Sequence, residues 1–421
     1  MADLSALHRR LQGADLTFFG EAPVCFHCHH FNLFLDQTVD DALGHEAGGA
    51  LRTRAAHRAS RQLLAGLFEA AGVITPAERV SLAQEIFAAM GHGRLSIDAQ
   101  RGKGTAHGSH VHYGFCWREK YGRDVRRRHP TDAFAAGYVA AATELAHDLP
   151  SGSLWGVETE CVAMRAPECC FVAEHGSHAE FPTATSGMPE AQQIEGAHTD
   201  SLGEAEIQAI NAGLQQFLAS VGPDPRGLVQ GFGVFVTLHL TNYYNEVSYG
   251  AARLLNERAP RSTPVFEALL RESGQVCAFN TFGGILLSPE WEGLVGPLGA
   301  DPGDIMRHSM AIARALGFGT WSIVEFEPER RIVVRAPKTY EAAYFHGAAK
   351  PERPSSYFLQ GAVCGLMEMA HRVPWRERPL LDDTFYRALF KQGSRFRVEQ
   401  TADVARGDRY CEVVVEAGPS R

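Results

Sequence analysis

Met90-Gly91-His92-Gly93-Arg94-Leu95-Ser96-Ile97 recurs 226 residues later as Leu316-Gly317-Phe318-Gly319-Thr320-Trp321-Ser322-Ile323. Both copies follow a helix-like stretch, and the signals that open those stretches recur too. Thr75-Pro76 with Glu78 and Asp301-Pro302 with Asp304 each set a cap residue, a proline at the first helical position and an acid in the first turn. Gly91 and Gly317 then end the helices and lead into short strands. Further blocks pair in the same order. Phe134-Ala135-Ala136-Gly137, ending in Glu144-Leu145-Ala146-His147, matches Phe358-Leu359-Gln360-Gly361, ending in Glu368-Met369-Ala370-His371, at an offset of 224. His29-His30-Phe31-Asn32 pairs with His239-Leu240-Thr241-Asn242 at 210, and Cys169 with Cys411 at 242. Blocks recurring in one order predict one design built twice, with loops of unequal length accounting for the drift.

Residues 174–203 are rich in Gly, Pro, Ser, Thr and Ala and read as a linker. The expected division is a domain at 1–180, a linker at 181–203 and a second domain at 204–421. Each domain would open on a strand, pass through helices and a central hairpin, and close on a strand at 169–173 or 411–416. That is an α+β class. A length of 421 residues with 45% hydrophobic and 21% charged residues supplies enough core for two such units. The net charge of −9 excludes a general nucleic-acid surface, and the basic run at 123–128 reads as a solvated loop. No apolar leader opens the chain and no window approaches eighteen apolar residues, so a cytoplasmic protein with no membrane partner is expected, a monomer or homodimer. Nine cysteines without a secretion signal read as thiols or metal ligands.

Cys25-Phe26-His27-Cys28-His29-His30 places five ligand-type side chains in six residues. Thiolate and imidazole are the donors that zinc, iron and copper accept most readily. If residues 24–30 form a strand, as the apolar twin at 234–240 suggests, Cys25, His27 and His29 share a face. Their twins in that alignment are Phe235, Thr237 and His239. If the stretch is helical, the face is Cys25, Cys28 and His29. His112 and Cys116 stand where the second copy has Tyr340-Glu341-Ala342-Ala343-Tyr344, and Cys161 stands opposite Asp403. The first copy therefore reads as metal-bearing and the second as its degenerate partner. Cys25, His27 and His29 are expected to join Cys161 and Cys169, or the His112/Cys116 pair, in one site.

Gly137-Tyr138 in a small-residue helix, then Glu158-Thr159-Glu160-Cys161-Val162-Ala163-Met164, then Cys169 eight residues after Cys161, resembles the end of the 4-vinyl reductase domain. The second copy, with Val398-Glu399 and residues 403–411 ending on Cys411, is similar but carries Asp403 in place of the first cysteine. The resemblance covers the closing part of each copy. It implies a fold like that of vesicle-tethering subunits and heme-based nitric-oxide sensors, a helical layer on an antiparallel sheet enclosing a ligand pocket. In aromatic-sensing regulators this domain holds a structural zinc with cysteines and a carboxylate, and Cys161 and Cys169 resemble the matching pair. The remaining ligands do not match, since the corresponding region has His107, His110, His112 and Cys116. No DNA-binding or ATPase domain accompanies them.

The expected function is a metal-dependent protein, with zinc or iron, acting on or binding a small organic ligand in the N-terminal domain. Lacking an output domain, it leans toward an enzyme, whose metal would keep an open position with Glu158 or Glu160 as proton carrier. The alternatives are a non-catalytic ligand-binding protein with structural zinc, and an iron-sulfur protein using Cys25, Cys28, Cys161 and Cys169. No GxSxG elbow, P-loop or dinucleotide fingerprint is present. His198-Thr199-Asp200 has the spacing of two iron ligands but lies in the linker.

Overall fold

The computed structural model describes residues 8–11, 13–122, 124–176, 201–345 and 350–418. Most of the linker assigned to 181–203, with His198 and Asp200, lies outside them. The N-terminal half runs β1 (His8–Leu11), β2 (Leu16–Phe19), β3 (Ala22–Cys28), α1 (His29–Leu43), α2 (His45–Ala71), α3 (Pro76–Ala89), β4 (Ser96–Gln100), β5 (Lys103–Gly108), α4 (His112–Tyr121), α5 (Ala133–Ala146), β6 (Leu154–Glu160) and β7 (Cys169–His175). The C-terminal half runs α6 (Glu204–Ser220), β8 (Val229–Gly231), β9 (Val234–Leu240), α7 (Thr241–Arg258), α8 (Thr263–Cys277), α9 (Gly283–Leu287), α10 (Pro289–Leu294), α11 (Pro302–Ala315), β10 (Ser322–Glu327), β11 (Arg331–Ala336), α12 (Tyr340–Tyr344), α13 (Tyr357–Arg372), α14 (Asp383–Tyr386), β12 (Phe396–Ala402) and β13 (Cys411–Ala417). No described helix is long and apolar enough to cross a membrane.

The architecture is α+β with three antiparallel sheets. Strand orders β4-β5-β7-β6 and β10-β11-β13-β12 are the same arrangement in the two halves. The third sheet, β1-β2-β3-β9-β8, is shared, because β3 pairs with β9. Capping explains the helices that precede the hairpins. Thr75 and Glu78 form a reciprocal box with Pro76 at the first position of α3, and Asp301 accepts from the Asp304 N–H at the start of α11. Glycine is required just beyond each of these helices. Gly91 (φ 81°) and Gly317 (φ 86°) take left-handed backbone, and a Cβ on Gly91 would meet the Val236 carbonyl at 2.7 Å, one on Gly317 the Val24 carbonyl at 3.3 Å. Each helix end is thereby seated on the other half's strand, with Phe26 N–H donating to the Leu316 carbonyl and Leu238 N–H to the Met90 carbonyl, both at 2.9 Å.

Those two bonds correct the alignment of the first strands. Met90 and Leu316 are equivalent, so Phe26 is equivalent to Leu238, and these two face each other in the β3–β9 pairing. The offset is two residues more than the histidine match at His29/His239 suggests, and it makes His27, not His29, the counterpart of His239. The expected strand at 24–30 is corrected as well, since β3 ends at Cys28 and His29 opens α1.

Candidate metal centre

Among the described residues one group of ligand-type side chains converges: Glu158, Cys161 and Cys169, all buried, each offering an atom within 4.8 Å of the others. Strand alternation aims Glu158 inward from β6, and a register shift at the end of β6 leaves Glu160 outside. Glu160 is exposed and lies beside Cys170, 4.0 Å from its Sγ, so it takes no part in the group. Cys161 follows β6 and caps a short helical turn at Val162–Met164, and the Val162 N–H points at Cys169 Sγ, 3.5 Å away, where β7 begins. Gly114 of α4 roofs the sulfurs, since a Cβ there would stand 3.0 Å from Cys169 Sγ and 3.4 Å from Cys161 Sγ.

The surroundings favour a cation. Glu158 Oε2 accepts from Asp132 N–H at 2.7 Å, while Oε1 is buried with no partner among the described residues. An unpaired buried carboxylate oxygen is costly, and burial together with the neighbouring Cys161 pushes its carboxyl well above the usual range. The Cys169 thiol beside it holds Cys161 low, at about 5, with help from the Thr131 hydroxyl at 3.3 Å. Cys169 is correspondingly pushed up. A divalent ion would take the place of these shared protons and satisfy Oε1, so the residues fit a zinc-type centre.

The C-terminal half places Gln400, Asp403 and Cys411 at the same strand positions, with the same register shift at the end of β12. There the polar atoms satisfy one another. Ser356 N–H donates to Gln400 at 3.1 Å, Ser355 N–H and Oγ to Asp403 at 2.7 and 3.1 Å, and Ser356 Oγ lies 3.4 Å from Cys411 Sγ. Hydrogen bonds fill this version of the site.

The remaining expected ligands stand outside this group, although His29 is near enough to His112, and Cys28 to Cys116, to influence each other's charge. The first-strand residues do not reach Cys161 or Cys169. Helix α1 begins at His29, which turns that ring toward the Phe235 carbonyl at 3.3 Å. Cys25 and Cys28 are buried, and Cys28 and Cys277 share the Thr281 hydroxyl. His27 packs into the C-terminal half, stacked on Phe31 (3.8 Å between ring centres) and ringed by Tyr244, Phe318, Tyr340 and Phe358. His112 and Cys116 contact each other at 3.7 Å on α4, and His112 Nε2 meets Asn32 at 3.1 Å. Pairing of β3 with β9 carries the first-strand side chains away from the cysteine pair, while His112 and Cys116 lie on α4 to either side of Gly114.

Sequence reasoning passed over the polar residues that the crossing brings together. His239 enters the N-terminal half, with Phe134 at 4.4 Å, His92 at 4.8 Å and the Tyr113 hydroxyl 3.1 Å from Nε2. His92 is buried with neither ring nitrogen partnered among the described residues, and His239 Nδ1 likewise. Burial keeps His27, His92, His112 and His239 neutral. The recurrence of Gly-x-Gly with His92 in one copy and Phe318 in the other was the available signal. Thr131 and Gly114 carried none.

No family model matches this chain, and no curated protein matches it. Among solved structures, the phenol-responsive sensory domain of the transcription activator PoxR, crystallised with phenol, is similar at a TM-score of 0.35 and 16% identity, over 41% of this chain and 87% of that one.

Proposed function

We propose that this chain is a small-molecule-binding protein whose N-terminal half is held by a structural metal ion of the zinc class on Glu158, Cys161 and Cys169. The observation that carries the reading is the buried convergence of two thiols with a carboxylate oxygen that has no other partner. Burial of every donor favours a structural ion over a catalytic one, which needs a position open to substrate. Four thiolates for an iron-sulfur cluster are not brought together among the described residues. The resemblance of the closing segments to the 4-vinyl reductase domain supports the same assignment. The nitrogens of His92 and His239 that lack partners among the described residues, packed against Phe87, Phe134 and Tyr243, are the polar groups in that half that a small organic ligand would engage.

Elemental analysis of full-length protein purified without chelator tests the metal. The expected result is about one ion per chain and a colourless solution, with the ion lost in Cys169→Ala. Metal-free protein, or metal retained in both Cys161→Ala and Cys169→Ala, refutes the assignment.

A further inference from the structure

Glu158, Cys161 and Cys169 supply three donors, and a tetrahedral ion needs a fourth. The Asp132 carboxylate is spent on the α5 cap, accepting from Ala135 N–H at 2.7 Å and lying 3.4 Å from Tyr113 N–H. Cys116 is engaged with His112, and His112 with Asn32. Glu160 faces solvent. Thr131 is different: its hydroxyl lies 3.3 Å from Cys161 Sγ, and the side chain is buried.

Two features hold Thr131 there. Arg52 Nη1 donates to its carbonyl at 3.3 Å, and the next residue's N–H is bonded to Glu158 at 2.7 Å. Residues 131 and 132 therefore run along the edge of the group. The other half gives an independent view of this position. Its counterpart is Ser355, which precedes the α13 cap as Thr131 precedes the α5 cap, and Ser355 Oγ donates to Asp403, the residue in the place of Cys161. A hydroxyl thus faces the centre in both halves, although the two centres have different chemistry.

We propose that the Thr131 hydroxyl is the fourth donor of the metal centre, giving a site of two sulfurs and two oxygens with a neutral, weak fourth ligand. The proposal rests on the metal reading above. It makes residue 131 the determinant of metal affinity and makes the ion more exchangeable than one held by four charged side chains.

Cobalt(II) titration of the full-length chain, stripped of metal, tests it through the thiolate-to-cobalt absorption in the near ultraviolet. Thr131→Cys should raise that absorption to about one and a half times the wild-type value, as two thiolates become three. Thr131→Val, which removes the hydroxyl at constant shape, should weaken cobalt binding, with Thr131→Ser restoring it. Folding of each variant is followed by circular dichroism. A Thr131→Cys protein that is folded, binds cobalt and keeps the wild-type band overturns the proposal, because the position then does not face the ion. Absence of any thiolate band in the wild type is a separate result, one that removes the metal reading itself and this proposal with it.

Discussion

His27 and His239 stand one residue beyond the facing pair Phe26/Leu238, and each ring is packed into the aromatic core of the half to which it does not belong. Equivalent strands placed antiparallel about that pair exchange equivalent side chains, so the crossing of one histidine entails the crossing of the other. His27 contacts Phe318 and Phe358 as His239 contacts His92 and Phe134.

Replacing His27 with Ala should leave metal content unchanged and lower stability by about 2–4 kcal/mol, because it removes a ring from a closed core. His27→Phe should cost less than His27→Ala, since it keeps the ring, deletes Nε2, which is buried without a partner among the described residues, and gives up only the 3.7 Å contact of Nδ1 with Cys277 Sγ, which retains Thr281. Urea unfolding with parallel metal analysis checks both. Loss of metal in His27→Ala would return the first strand to the metal site.

The C-terminal counterpart of Glu158, Cys161 and Cys169 differs at two of three positions. Gln400→Glu with Asp403→Cys, beside the native Cys411, should therefore build a second centre, read as about two ions per chain instead of one. Unchanged metal content in the folded double variant would mean that the matched strand geometry is not sufficient.

Glu341 is fully buried and accepts from the Phe358 and Leu359 N–H groups and from Tyr249, and burial pushes its carboxyl up to about 8. The unfolded chain titrates near 4.5, so the folded protein holds a proton that unfolding releases between these values. This group's contribution is complete below about pH 4.5 and fades as pH rises toward about 8, with a slope of at most about 1.4 kcal/mol per pH unit. Glu341→Gln should flatten urea stability over that window. An identical pH profile in the variant would show that the carboxyl is ionised in the fold.

Arg52 is buried between Asp36 and Asp40, at 2.8 and 2.6 Å, and Asp36 also accepts from Tyr243 of the other half at 3.2 Å. Arg52→Leu leaves two acids in the core with one guanidinium, Arg127, still reaching Asp40. A loss of about 3–5 kcal/mol is expected in chemical denaturation. A loss below about 1 kcal/mol would mean that the acids take up protons and the network is dispensable.

What could be read from the chain followed locality. Thr75 and Asp301 announced their helices because a cap is decided within four residues. Glu158, Cys161 and Cys169 stood out because they flank one tight connection between adjacent strands. The strand span and register of Cys25 to His30 were misread for the converse reason. Ligand density was plain, but the switch from strand to helix at His29 and the choice of β9 as partner depend on the other half of the protein. Periodicity gives which face a residue takes, not which sheet it joins. Thr131 was silent because a lone threonine before a helix cap looks the same whether its hydroxyl meets water or a thiol.

The shared sheet also bears on how this protein is made. Ribosomes deliver β3 early, yet its neighbour β9 emerges only after the whole N-terminal half has been synthesised. Until then that half has an uncovered strand edge and an aromatic core missing the His239 ring, the condition in which nascent chains pair wrongly. The halves consequently cannot mature in succession as beads on a string do; the first must wait, partly formed, for the second to complete it.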